Sequence, residues 1–256
     1  MSARLLVALL LVLQCLQFTS ACFPDDGSLV TVGEDTSVCL MLSRLEWGSH
    51  AGNSNSGEFH SVKAVLSADE FSVIKTRQSW TGVRYADDTA MLDLKISDDS
   101  DGNGLGVALG SLGMPSYQKA YRRVDDSATA SSVTFPVLMA VIRVEEGKVM
   151  EITWDETCEW CSEDRCAANT YDYKGVGVLP ESKSCFIPDE ECVKAGTETQ
   201  VSPDGNQITR VESKPECDLK VYVTWTGTDS KGFHFLSAAT RFSRLGEAQV
   251  KSIVVP

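Results

Sequence analysis

The chain has 256 residues, of which 43% are hydrophobic and 23% are charged, and it contains nine cysteines. This composition excludes a disordered or fibrous chain, and the length accommodates one large domain or two smaller ones. The net charge of −13 repels phosphate backbones, so we expect no nucleic-acid partner.

Residues 1–21 have the features of a secretory signal peptide. Arg4 supplies the positive charge near the N-terminus, residues 5–13 form an unbroken apolar run, and residues 19–21 are the small residues of a cleavage site. The apolar run is shorter than the roughly 20 residues of a membrane-spanning helix. We therefore predict cleavage after Ala21, secretion to the extracellular space and no membrane span in the mature chain.

Cleavage at this site would remove Cys15 and leave eight cysteines, and the loss of Arg4 would change the net charge from −13 to −14. The eight are Cys22, Cys39, Cys158, Cys161, Cys166, Cys185, Cys192 and Cys217. An even number of cysteines in an oxidising compartment predicts four disulfides. The simplest pairing joins Cys22 to Cys39 and keeps the other six together, while the connectivity within those six stays open.

The hydrophobic pattern along the chain is mostly that of β-strands. Strands are predicted at residues 29–32, 38–42, 91–97, 133–144, 149–154, 220–226 and 233–236. In the fifth of these, Met150, Ile152 and Trp154 are predicted to share one face, and in the sixth Val221, Val223 and Trp225 do so.

Helix signals are few. Ser67 followed by Glu70 forms a capping box that predicts a short helix over residues 67–75, and a second is expected near residues 115–123. Together these elements predict a mainly β fold, a disulfide-stabilised β-sandwich with one or two short helices.

A polar stretch at residues 124–132 separates the two cysteine groups. As a linker it divides the mature chain into an N-terminal β module, residues 22–130, and a C-terminal cysteine-rich β module, residues 131–256. The alternative is a surface loop within one continuous domain.

Residues 99–104 resemble the start of a calcium-binding loop. Asp99, Asp101 and Asn103 place oxygen ligands at alternate positions, with Gly104 after them, as a hard cation requires. Gly110 stands where such a loop needs a bidentate glutamate, which departs from the EF-hand pattern. Ca²⁺ is the only cofactor that the sequence indicates, and the alternative is a solvated acidic turn.

The spacing of Cys158, Cys161 and Cys166 admits a zinc site, a redox pair or structural disulfides. The three histidines of the chain are distant in sequence, and the βα setting of a redox pair is missing. Structural disulfides are therefore the favoured interpretation.

The sequence contains no signature of catalysis, and we assign no catalytic residue. The stapled segment carries Trp160, Tyr171 and Tyr173, and exposed aromatics in such loops are typical of binding surfaces. The sequence thus predicts a secreted protein that binds an extracellular protein or glycan partner. The alternatives are a secreted hydrolase whose site is assembled from distant residues, and a calcium-stabilised component of a wall or matrix.

Overall fold

The structure is a computed structural model that describes residues 27–44, 59–76, 105–123, 132–169, 182–192, 198–201, 207–210, 214–237 and 251–255. The strands are β1 Asp35–Arg44, β2 Phe59–Ser67, β3 Ser72–Thr76, β4 Leu105–Ser111, β5 Met114–Pro115, β6 Lys119–Arg123, β7 Val133–Thr134, β8 Val137–Glu145, β9 Lys148–Asp155, β10 Cys166–Ala168, β11 Lys183–Cys185, β12 Ile187–Pro188, β13 Glu198–Val201, β14 Gln207–Arg210, β15 Lys220–Gly227 and β16 Lys251–Val255. The predicted mainly β class is confirmed.

Helical structure within these ranges is short. One α-helix, α1, spans Asp189–Cys192, and 3₁₀ helices occupy Cys158–Trp160, Glu163–Arg165 and Pro215–Cys217. In the part of the chain that the structure describes, no helix is long and apolar enough to cross a membrane.

Two large sheets carry most of the described strands. The seven-stranded sheet has the order β12-β7-β6-β4-β1-β2, with β5 paired to β4, and the five-stranded sheet has the order β16-β3-β15-β8-β9. Strand β15 runs parallel to β8 and antiparallel to β3. Two smaller hairpins, β10-β11 and β13-β14, stand outside both sheets.

The two large sheets share one hydrophobic core, as a sandwich does. From the first sheet, alternate residues of β1 reach the core, among them Val38 and Leu40. From the second sheet, Val221, Val223 and Trp225 are fully buried in it, which confirms the face predicted for β15.

Strands on the two sides of residue 130 pair with each other. Strand β6 pairs with β7 in the first sheet, and β3 pairs with β15 in the second. The predicted boundary thus falls between strands of the same sheets, and the division into modules stays a prediction.

The predicted helix over residues 67–75 is absent. Residues 68–71 form a turn that takes the chain from β2 in one sheet to β3 in the other. Asp69 has the left-handed φ of 73°, which a right-handed helix does not allow, and its carboxylate accepts the backbone N–H groups of Leu236 and Ser237 at 2.6 and 2.7 Å. Tertiary bonds therefore override the capping signal of Ser67.

The helix predicted near residues 115–123 is also absent, because this segment forms β5 and β6. Tyr121 is fully buried, and its hydroxyl donates to the Cys217 carbonyl at 2.8 Å. The Asn169 side chain bonds both backbone groups of Ala120, at 3.0 and 2.9 Å, as a neighbouring strand would. These long-range partners favour an extended backbone.

The face predicted for β9 is wrong at Met150. Arg143 pairs with Glu151 but Val144 pairs with Val149, so the register shifts by one residue between them. A bulge of this kind inserts an unpaired residue and breaks the alternation of side chains. Met150 is consequently exposed, whereas Val149 and Ile152 face the core.

Three further strand predictions have mixed outcomes. The strand predicted at residues 29–32 does not form, although Val30 is buried and its N–H donates to the Gly147 carbonyl at 2.7 Å. Residues 233–236 contribute only a bridge between Thr228 and His234. The strand predicted at residues 91–97 lies outside the described residues.

Candidate functional site

Three disulfides staple the segment from residue 158 to residue 217. They join Cys158 to Cys166, Cys161 to Cys185, and Cys192 to Cys217. The six cysteines thus pair among themselves, as predicted. Cys39 is also disulfide-bonded, and its partner lies outside the described residues, so the Cys22–Cys39 pairing stays a prediction.

The two cysteines of the Cys-x-x-Cys motif bind different partners. Cys158 and Cys161 are not joined to each other, and neither is a free thiol. A zinc site needs thiolates and a redox pair needs a bond between the two cysteines. The structural interpretation of this motif is therefore the one that the geometry supports.

Thr157 attaches the stapled loop to both neighbouring elements. Its N–H donates to the Lys183 carbonyl at 3.2 Å, its hydroxyl donates to the Val137 carbonyl at 3.4 Å, and the same hydroxyl accepts the Cys185 N–H at 3.2 Å. Thr157 itself is fully buried. The 3₁₀ helix that carries Trp160 is consequently held beside β8 and β11.

An open groove with a volume of about 710 Å³ lies between these stapled elements, and we call it the cysteine groove. Its apolar lining consists of Pro136, Val137, Trp160, Phe186 and Ile187. Cysteines of two of the three disulfides adjoin them, because Cys161, Cys185 and Cys217 also line the groove. This volume lies within the range of about 300–1,000 Å³ that ligand sites usually have.

Four charged residues complete the lining of the cysteine groove. Arg165 and Glu191 form an ion pair with 2.7 Å between Nη2 and Oε1. The hydrogen bond with Glu191 raises the pKa of the Arg165 guanidinium, and both side chains are exposed. Lys214 and Glu216, both exposed, also line the groove.

Trp160, predicted as a binding residue, lies in this groove. The side chain is half-buried, and its ring meets the Tyr222 ring edge-on, with 4.8 Å between centroids and 82° between planes. Such a contact is favourable and fixes the orientation of the indole. Trp160 therefore presents a preoriented aromatic surface to whatever enters.

A buried charge network anchors α1, which contributes Glu191 to the groove. Asp189 accepts hydrogen bonds from the Arg122 guanidinium at 2.5 Å and from the Thr134 hydroxyl at 2.6 Å. Its N–H donates to the Ser132 carbonyl at 2.9 Å. These bonds attach the helix to β6 and β7, so one wall of the groove is fixed to the first sheet.

Several predicted site residues lie outside the described residues. They are Tyr171 and Tyr173 of the binding prediction and Asp99, Asp101 and Asn103 of the calcium prediction. Within the described ranges, no group of three or more histidine, cysteine or acidic residues is arranged to hold a metal ion. The calcium loop stays a prediction.

Apart from Trp160, the apolar lining of the groove was not predicted from sequence. Phe186 and Ile187 follow Cys185 directly, and this apolar pair beside a cysteine was the available signal. Val137 gave no such signal, because its position at the groove depends on the bonds that Thr157 makes.

A second cluster missed by sequence reasoning joins Lys119 to Ser182. The Lys119 Nζ donates to the Ser182 hydroxyl at 2.5 Å, and the two residues are 3% and 7% exposed. Burial lowers the pKa of Lys119 to about 8, and the nearby carboxylates of Glu156 and Asp155 oppose this shift. The pair therefore holds an amine whose neutral form is accessible near neutral pH.

A protein-family model matches the chain. The model of the family described as "Uncharacterised protein DDB_G0273449" matches residues 116–254. The chain belongs to this family. The matched segment contains every residue that lines the cysteine groove and all three described disulfides. No curated protein and no solved structure matches the chain.

Proposed function

We propose that the protein is secreted and binds an extracellular protein or glycan partner through the cysteine groove. Three disulfides are typical of extracellular proteins, because such bonds persist in an oxidising compartment. Secretion additionally rests on the signal peptide that the sequence predicts at residues 1–21.

The observation that carries the proposal is the cysteine groove itself. It combines an apolar floor, made of Pro136, Val137, Phe186 and Ile187, with four charged residues, and its walls are fixed by disulfides. A preformed site loses little conformational freedom when a partner binds, so more of the contact energy appears as affinity. Trp160 belongs to the residue types that dominate binding energies at interfaces.

A pull-down with the secreted full chain tests this function. We expect the wild-type protein to retain a partner from extracellular fluid, or to bind on a glycan array, and Trp160→Ala to lose that binding. Phe233→Ala is the matched control, since Phe233 is an aromatic residue that is 61% exposed and does not line the groove. Equal binding by Trp160→Ala and the wild type would contradict the proposal.

A secreted hydrolase is the second candidate, and the contact between Lys119 and Ser182 favours it. A neutral lysine can act as general base for a serine nucleophile. The Ser182 Oγ would add to the carbonyl carbon of an ester while its proton passes to the Lys119 Nζ. The leaving alcohol would take that proton, and water would then release the acyl group from Ser182. The burial of both side chains restricts this activity to small esters.

Labelling with a fluorophosphonate probe tests the second candidate. We expect the wild-type protein to be labelled at Ser182, with labelling that rises between pH 7 and 9 as Lys119 loses its proton. Ser182→Ala should abolish labelling, and Ser184→Ala, a buried serine of the adjacent strand, should retain it. An unlabelled wild type, or equal labelling of Ser182→Ala, would eliminate this candidate.

A further inference from the structure

The lining of the cysteine groove discriminates between the two kinds of partner. Besides its apolar residues and cysteines, the described lining contains only arginine, lysine and glutamate, with no serine, threonine, asparagine, glutamine, histidine or tyrosine. A sugar ring brings several hydroxyl groups, each of which needs a polar partner when it leaves water. Arg165 and Glu191 already bond each other, so of the four charged side chains only Lys214 and Glu216 are left to pair with hydroxyl groups, and the apolar lining favours an apolar side chain.

The four charged residues of the lining differ in their bonding: Arg165 and Glu191 bond each other, whereas Lys214 and Glu216, which we call the open pair, do not. Arg165 and Glu191 satisfy each other at 2.7 Å, and the Arg165 carbonyl accepts the Phe186 N–H at 2.9 Å. Among the described residues, the side chains of Lys214 and Glu216 form no ion pair, and both are exposed. The open pair therefore offers one positive and one negative group to an incoming ligand.

Fixed backbone holds this open pair beside the apolar floor. The Lys214 N–H donates to the Cys192 carbonyl at 2.9 Å, and the Cys217 N–H donates to the Lys214 carbonyl at 3.0 Å. Because Cys192 and Cys217 share a disulfide, the 3₁₀ helix that carries Glu216 cannot move away from α1 without breaking a covalent bond. The backbone of both residues thus has a fixed position relative to the floor.

We propose that the cysteine groove binds an extended peptide segment of a partner protein, with a large apolar side chain on the floor and an acidic and a basic residue beside it. This inference rests on the proposed binding function and names its ligand. The apolar side chain contacts Val137, Phe186 and Ile187 next to the Trp160 ring. The acidic residue pairs with Lys214 and the basic residue with Glu216.

Selection from a displayed library of short random peptides, with the secreted full chain immobilised, tests the ligand class. We expect enriched peptides to share a large apolar residue with an acidic and a basic residue close to it. A synthetic copy of the most enriched peptide then serves as the probe for binding measurements by fluorescence polarisation.

Three variants measure the contribution of each part of the groove. Val137→Asp places a charge on the apolar floor and should weaken probe binding by about 100-fold or more. Lys214→Glu and Glu216→Lys, each alone, should weaken it by about tenfold. The exchange of both charges should restore binding of a peptide with its acidic and basic residues interchanged. If Val137→Asp does not fold, probe binding by Lys214→Glu and Glu216→Lys still tests the proposal, because both residues are exposed.

A glycan array with the same protein separates failure of this inference from failure of the proposed function. Binding to a glycan, lost in Trp160→Ala, with no enriched peptide, would overturn the peptide ligand and leave the binding function standing. Enriched peptides that bind all three variants as tightly as the wild type would also overturn it. The absence of both peptide and glycan binding would remove the proposed function as well.

Discussion

The carboxylate of Asp229 accepts the backbone N–H of Val32 at 3.1 Å, although 197 residues separate the two in sequence. The other carboxylate oxygen accepts the N–H groups of Lys231 and Phe233, both at 2.8 Å. One side chain therefore closes the turn after β15 and attaches it to the segment before β1. In this turn, the strand predicted at residues 233–236 contributes only the bridge between Thr228 and His234.

Substitution of Asp229 should lower the stability of the protein. Burial raises the pKa of this carboxyl. The hydrogen bonds from Phe233, Val32 and Lys231 lower it by more than burial raises it, so the net pKa is below the usual 3.8. Asp229→Asn keeps one acceptor oxygen and loses the charge, whereas Asp229→Ala loses every bond. We expect melting temperatures to fall in the order wild type, Asp229→Asn, Asp229→Ala, measured by calorimetry at pH 7.

The pH dependence of these variants provides a separate check. A folded-state pKa below 3.8 means that the unfolded chain binds the proton first, so the contribution of Asp229 is complete above about pH 3.8 and is lost as the pH falls through the folded-state value. The difference between the wild type and Asp229→Asn should therefore shrink in acid. A constant difference from pH 7 to pH 2.5 would contradict this account.

Lys119 should make the stability of the protein depend on pH in the alkaline range. Its pKa is about 8 in the folded protein and 10.5 in the unfolded chain, so between these values the unfolded chain binds more protons and stability rises with pH. The full rise is about 3 kcal/mol as an upper limit. Lys119→Met, which carries no charge to desolvate, should lack this rise and be the more stable protein at pH 7.

Urea unfolding at pH 7, 8.5 and 10 measures this effect. Lys148→Met is the matched control, because Lys148 is an exposed lysine of β9 and its loss removes no buried charge. The control should follow the wild-type profile. A Lys119→Met profile parallel to that of the wild type would show that the buried amine does not carry the predicted penalty.

The strand predictions succeeded where local pattern and burial agree. Val221, Val223 and Trp225 alternate in sequence, and the same three residues fill the core between the sheets. At Met150 the pattern was equally regular, but the register shift between β8 and β9 reversed its face. A bulge depends on the partner strand, so a single strand's alternation cannot reveal it.

The helix predictions failed because their signals were local and the decisive bonds are not. Ser67 and Glu70 satisfy a capping rule, whereas Asp69 is fixed by backbone groups of residues 236 and 237. For the candidate site, Trp160 and the self-contained group of six cysteines were predictable from spacing. The apolar floor of the groove was not, since it assembles from residues more than 40 positions apart, such as Val137 and Ile187.

The disulfide between Cys192 and Cys217 should stabilise the protein more than the one between Cys158 and Cys166. It closes a loop of 25 residues rather than 8, and the chain-entropy model gives about 3.5 and about 2.5 kcal/mol for these lengths. Both cysteines of the longer loop are buried, so their replacement also leaves a cavity. We expect the larger loss of stability in the double alanine variant at 192 and 217.

Urea unfolding of the two double alanine variants under non-reducing conditions tests this ranking. The variant at 192 and 217 should also lose probe binding, because Lys214 and Glu216 would no longer be held beside α1. Equal stability of the two variants would show that loop length does not govern their contribution.

Gly227, the last residue of β15, should be more sensitive to substitution by alanine than Gly33. Its φ is 97°, and a Cβ added there would lie 1.9 Å from the Val144 carbonyl oxygen, a backbone atom of the paired strand β8. Gly227→Ala must therefore separate β15 from β8 as well as strain the backbone.

Gly33→Ala is the matched control, since Gly33 has a φ of 79° and nothing within 4 Å of the added Cβ. The control isolates backbone strain, which costs about 1 kcal/mol. Gly227→Ala should lose at least about 3 kcal/mol in urea unfolding, as overpacking against backbone adds to the strain. Similar losses for the two variants would mean that the strands separate without cost.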